Sequence, residues 1–156
     1  MPPVTPRSPK AQLDSFLAKF SPEVRRVAAA ALVKMRSRLP GSCELVYDNY
    51  NALAIGFGPS DRASDAIFSI AVFPRWASLF FLQSGTELQD PAGLLEGKGT
   101  RARHIKLTSA ADLDSAPVRA LMRQALALAE VPLDRRARRR LVVKSISAKQ
   151  RPRRPR

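Results

Sequence analysis

One stretch gathers most of the side chains that could do chemistry. Between Ser84 and Leu107 stand the acids Glu87, Asp90 and Glu96, the sole histidine, His104, and the bases Lys98, Arg101, Arg103 and Lys106. Three carboxylates and an imidazole are the donor types that suit iron or manganese. The bases crowd the same segment, however, and would repel a cation. The other chemistry is anion capture. In Gly97-Lys98-Gly99-Thr100-Arg101-Ala102-Arg103 the glycines let backbone amides approach a phosphate or carboxylate, and arginine can grip it with two hydrogen bonds. The Walker spacing is missing, so nucleotide hydrolysis is not implied. The expected ligand set is therefore Tyr47, Tyr50, Gly85, Asp90, Gly97, Lys98, Gly99, Arg101, Arg103 and His104, with Trp76 and Phe80 as further aromatic walls and no metal.

Arg103 alternates with Ile105 and Leu107, which starts it on a buried sheet face. A buried guanidinium needs a carboxylate or a bound anion, and Asp90 and Glu96 are nearest in sequence. No nucleophile is evident. Nothing near Cys43 would depress its pKa towards a dyad with His104, and Ser84 lacks the context of a nucleophile elbow. The expectation is a non-enzymatic protein with no cofactor.

A second constellation lies at the end of the chain. The last 26 residues carry +10 of the net +14, leaving +4 for the rest. Arg135, Arg136, Arg138, Arg139 and Arg140, then Lys149, Arg151, Arg153 and Arg154, could neutralise phosphates without reading a base sequence. Few aromatics interleave them, so a stacking platform for single strands is not implied.

The elements that must position these groups follow from periodicity. Residues 1–10 hold four prolines and read as a mobile arm with no secretory signal. Leu13, Phe16, Leu17 and Phe20 recur at helical spacing. Ser21-Pro22-Glu23 restarts a helix to Leu39, with Val24, Val27, Ala28, Ala31, Leu32 and Met35 as its apolar stripe. From Glu44 the period becomes two over strands near 44–48 and 52–57; 66–73 and 76–82 are apolar runs joined at Pro74-Arg75, read as a hairpin of central strands, and 103–108 alternates again. A last helix runs from Ser115 to Glu130. Leu141 to Ser147 has β character and is expected as an edge strand inside the tail. The fold class is α+β: two layers, helices on one mainly antiparallel sheet of about five to six strands. The arm, a domain over 11–134 and the basic tail 135–156 are its parts. The longest apolar run, Val27 to Val33, is far short of a membrane span, and the lone cysteine suits the reducing cytoplasm.

Several motifs in order resemble the YdhG-like bacterial domain family of unknown function. They are Glu44-Leu45-Val46-Tyr47-Asp48-Asn49-Tyr50-Asn51, Phe80-Phe81-Leu82-Gln83-Ser84-Gly85, Leu88-x-Asp90-Pro91, Leu95-x-Gly97-x-Gly99 and Arg103-His104-Ile105. The tail from Val143 to Arg154 is similar to an ending that recurs in one branch. The resemblance covers about Ser21 to Arg154 and implies a small α+β domain. The residues themselves are read as those of a small-ligand or protein-partner module, whose tail binds nucleic acid weakly and without sequence preference. One branch of the family is likened to frataxin-type iron chaperones, which implies iron delivery as the alternative function. The chain departs from that branch at Tyr47-Asp48-Asn49-Tyr50 and at Gln89, and it has no acidic ridge.

Overall fold

Serine and proline start each α-helix among the described residues. The computed structural model describes residues 7–155, and in it α1 (Pro9–Leu17), α2 (Pro22–Arg38) and α3 (Ala116–Ala127) each follow a serine cap. Ser8, Ser21 and Ser115 accept the amides of Ala11, Val24 and Val118. Each helix also has proline at its first or second position, where no amide is needed. The expected arm is thereby corrected. Ser8-Pro9 carries the same start signal as Ser21-Pro22, so the helix begins before residue 10, and residues 1–6 of the arm lie outside the described residues.

The strands are β1 (Cys43–Asp48), β2 (Leu53–Gly58), β3 (Phe68–Val72), β4 (Ala77–Phe81), β5 (Arg103–Leu107) and β6 (Arg140–Ile146). They form one sheet in the order β5-β4-β3-β2-β1-β6. The first five pair antiparallel in sequence order, joined by short turns at β1–β2 and β3–β4 and by longer connections at β2–β3 and β4–β5; β6 returns from across the molecule and pairs parallel to β1. The result is a two-layer α+β fold with a mainly antiparallel sheet.

Register turns the period of two into rows. Val143, Val46, Ile55, Ile70, Leu79 and Ile105 stand side by side across all six strands and face the helices. The row on one side ends in Phe57, Phe68 and Phe81, with Glu44 at β1 and Arg103 at β5. The row on the other holds Leu53, Val72, Ala77 and Leu107, with Asp48 at β1. Two carboxylates therefore face the core layer, and both are fully buried. The opposite face is lined with small side chains, Ala54, Gly56, Ser69, Ala71 and Ser78. Part of it is covered by the loop before β3. A Cβ on Gly58 would meet Ala66 Cα at 2.8 Å, so only glycine lets the loop approach.

Candidate functional site

The long connection from β4 to β5 is a closed structural unit. Asp90 accepts the amides of Leu94 and Leu95, four and five residues on, at 3.0 and 2.9 Å and so fixes a turn at Asp90-Pro91. Glu96 and His104 exchange both main-chain hydrogen bonds, so the loop pairs with the free edge of β5. Gly85 lets the first turn close on that edge, because a Cβ there would lie 2.6 Å from Arg101 O and Arg103 N. Gln83 is the buried hub. Its amide donates to Asp65 O and Ala66 O and its oxygen accepts from Glu130 N. The Gln124 side chain clasps both main-chain groups of Gln89.

This closure uses up the expected anion cradle. Arg101 pairs with Glu130 and donates to Gln83 O at 3.2 Å. Arg103 donates to Gly99 O and Ala102 O. The expected ion pair from Arg103 to Asp90 or Glu96 does not form. Arg103 sits at the sheet edge, half-buried, where neighbouring carbonyls suffice, and both Asp90 oxygens already hold amides. Of the three loop bases only exposed Lys98 has no carboxylate or carbonyl partner among the described residues.

The aromatic members of the expected set stand elsewhere. Tyr47 is on β1 and Arg103 on β5, four strands apart, about 19 Å at the usual strand spacing. Tyr47 faces the side away from the helices, its hydroxyl buried and without a hydrogen-bond partner among the described residues, and burial raises its pKa. Tyr50 lies in the β1–β2 turn under the Arg151 guanidinium. His104 stacks on Phe80 with ring centroids 4.9 Å apart, and its imidazole is 3.6 Å from Glu96. Cys43 is likewise four strands from His104, and burial raises its thiol pKa, with Arg140 as a weaker opposing influence. The acids disperse too. Among the described residues no three His, Cys, Asp or Glu side chains gather where they could hold a metal ion.

The tail has a different role from the one its composition implies. Asp48 is fully buried, and Arg153, 5% exposed, reaches it at 2.9 Å while also donating to Asn49 O. Lys19 approaches the other Asp48 oxygen at 3.2 Å, and Gln150 donates to Asp48 O. Glu44 is held between Arg36 at 2.9 Å and Arg139 at 2.8 Å. A buried carboxylate without a cation is costly, so bases from α2 and both ends of the tail complete the core of β1. Of the expected phosphate contacts, Arg153 is corrected to a buried internal partner of Asp48, while Arg139 with Glu44 and Arg140, 3.6 Å from Asp61, are exposed bases that each face an acid of this chain. Arg154 donates to the carbonyls of Ala18 and Lys19. Arg135, Arg136, Arg138 and Lys149 are exposed without an acidic partner among the described residues.

Sequence reading missed a groove. It runs between α1, α2 and the start of β6, with a volume of about 590 Å3. Leu13, Leu17 and Leu32 make its floor, and Val33, 62% exposed, stands on its wall. Arg36 and Arg139 come together on Glu44 beside it, whereas the Arg140 guanidinium turns to Asp61 on the other face of the sheet. A second hollow of about 260 Å3 meets it at Ala29 and is lined by Phe20, Pro22, Arg25, Arg26 and Arg154, with no acid. The only cue in the sequence was Val33 breaking the polar face of α2. The groove's other walls come from α1 and from Arg139 to Leu141, the latter more than about 100 positions on, so no local pattern announces it.

Comparison with family models, curated proteins and solved structures finds no match to this chain.

Proposed function

We propose that this chain is a non-enzymatic binding module of the YdhG-like type, working in the cytoplasm, that takes an anionic small ligand or partner in the groove along α2. One observation carries the reading: an apolar hollow of about 590 Å3 closes on the guanidinium groups of Arg36 and Arg139, which Glu44 holds side by side. Apolar walls with a few convergent polar groups are the usual composition of a ligand site. Glu44 engages Arg36 and Arg139 through their Nε atoms, and this leaves the terminal guanidinium nitrogens as donors held in place. The buried free cysteine suits a reducing compartment, and no helix among the described residues is long and apolar enough to cross a membrane. The remaining exposed bases of the tail lend the module weak contact with polyanions.

The test is an NMR titration with octanoate, which joins a carboxylate to a short apolar chain. Perturbed amides at Ala29, Val33 and Leu141, lost in Val33→Gln, are expected. Perturbation confined to residues 96–103 would return the site to the loop. No perturbation at either place would defeat the reading.

A further inference from the structure

The two hollows meeting at Ala29 make one strip along the outer side of α2, and the strip has a polarity pattern of its own. We infer that its occupant is an acidic amphipathic helix of a partner protein; this rests on the groove being the binding surface. Arg25 and Arg26 mark one end of the strip and Arg36 the other, about 16 Å apart at ~1.5 Å per residue. Between them Ala29 and Val33 succeed one another on adjacent turns, exposed and apolar. A ridge of that spacing is what a second helix packs against, with anchors at i, i+3, i+4 and i+7.

Charge selects the partner. Arg25 and Arg26 have no acidic partner among the described residues, and Arg154 beside them donates only to carbonyls. At the far end Arg36 and Arg139 are oriented by Glu44 but only partly neutralised, since one carboxylate faces two guanidinia. Asp14, the other acid on the rim, is matched by Lys10. A partner needs acids at both ends of about three helical turns and apolar side chains between them. A second copy of this chain does not fit that description, because its own α2 would bring like charge to like. A bare polyanion matches the ends but leaves the apolar middle unfilled.

The experiment uses the full chain and two 14-residue probe peptides measured by fluorescence anisotropy. The first carries leucine at i, i+4 and i+7 with glutamates at both ends, and the second has lysine in place of each glutamate. The acidic peptide should bind at least tenfold more tightly. Val33→Gln, and separately the pair Arg25→Glu and Arg26→Glu, should each weaken it at least tenfold. All three positions are exposed, so the fold is retained, which an unchanged melting profile checks. Lys98→Glu, on the distant loop, should alter binding less than twofold. A Lys98→Glu loss equal to that at Arg25 and Arg26 overturns the inference in favour of bulk attraction. A single-stranded 12-mer that competes with the peptide and ignores Val33→Gln overturns it in favour of nucleic acid. Octanoate bound at Val33 with no peptide binding sinks the helix while leaving the groove; failure of both probes sinks both.

Discussion

Single residues in this protein are set by what their polar atoms touch. Asp112 illustrates the balance. Burial pushes its carboxyl pKa up, but hydrogen bonds from the Thr108 hydroxyl and amide and from the Ser109 amide outweigh that and hold it below the usual value. With Ser109 it forms a capping box on the turn Ala110–Asp114, which supports α2 and α3. Asp112→Ala should cost about 0.5–2 kcal/mol at pH 7. The folded pKa lies below the unfolded value of about 3.9, so the charge-dependent part is fully present above that pH. It fades as pH falls through the folded value. The gap between wild type and variant in urea titrations should therefore narrow below about pH 4; a gap that widens in acid would contradict the assignment. Cys43 is a second case. Its buried thiol, with a raised pKa, should resist iodoacetamide at pH 8 in the folded protein and react on unfolding. Rapid labelling of the native state would show that β1 opens locally.

At the scale of elements, the tail is a strap. From β6 it crosses the β1–β2 turn, where Arg151 N donates to Tyr50 O, and it buries Arg153 against Asp48 and Phe20. Among the described residues the Arg153 Nε is buried without a partner, and the guanidinium is held through its two terminal nitrogens. Arg153→Ala leaves Asp48 buried with only half-exposed Lys19, and a loss of about 3–5 kcal/mol is expected. Adding Asp48→Asn should recover part of it in a double-mutant cycle. If Arg153→Ala is neutral and Asp48→Asn restores nothing, the strap is not a clamp. Removing residues 149–156 should accordingly destabilise the domain and not merely discharge it.

At the scale of the molecule, +14 is an overestimate of the charge available to a polyanion. Arg139, Arg140 and Arg153 face acids of this chain, whereas Arg135, Arg136, Arg138 and Lys149 face solvent. Nucleic-acid binding should be weak, indifferent to base sequence and lost as salt rises. Replacing Arg135, Arg136 and Arg138 by glutamine should lower the slope of log K against log salt by about two to three. Arg153→Gln should change stability and leave the slope nearly as it was. The opposite ranking would place the polyanion surface on the strap.

Local chemistry alone was enough to write the helices and most strands into the sequence. Ser21-Pro22 and Ser115-Ala116-Pro117 start helices by cap and fixed φ, and the alternation of β1, β2 and β5 and the apolar runs of β3 and β4 carry through because strands consecutive in sequence pair antiparallel. The turn at Asp90-Pro91 is of the same kind, since its acceptors and donors lie within five residues. What the tertiary structure decided is everything that joins distant segments. Alternation left open which face of β1 turns inward; packing turned Val46 to the core and took Glu44 and Asp48 with it. That choice drew in Arg139 and Arg153, 95 and 105 residues away, as counter-charges. It also separated Tyr47 from Arg103 by four strands and opened the groove between α1, α2 and β6. Such pairings depend on sheet order and on the electrostatic cost of buried carboxylates, and neither is a property of neighbouring residues.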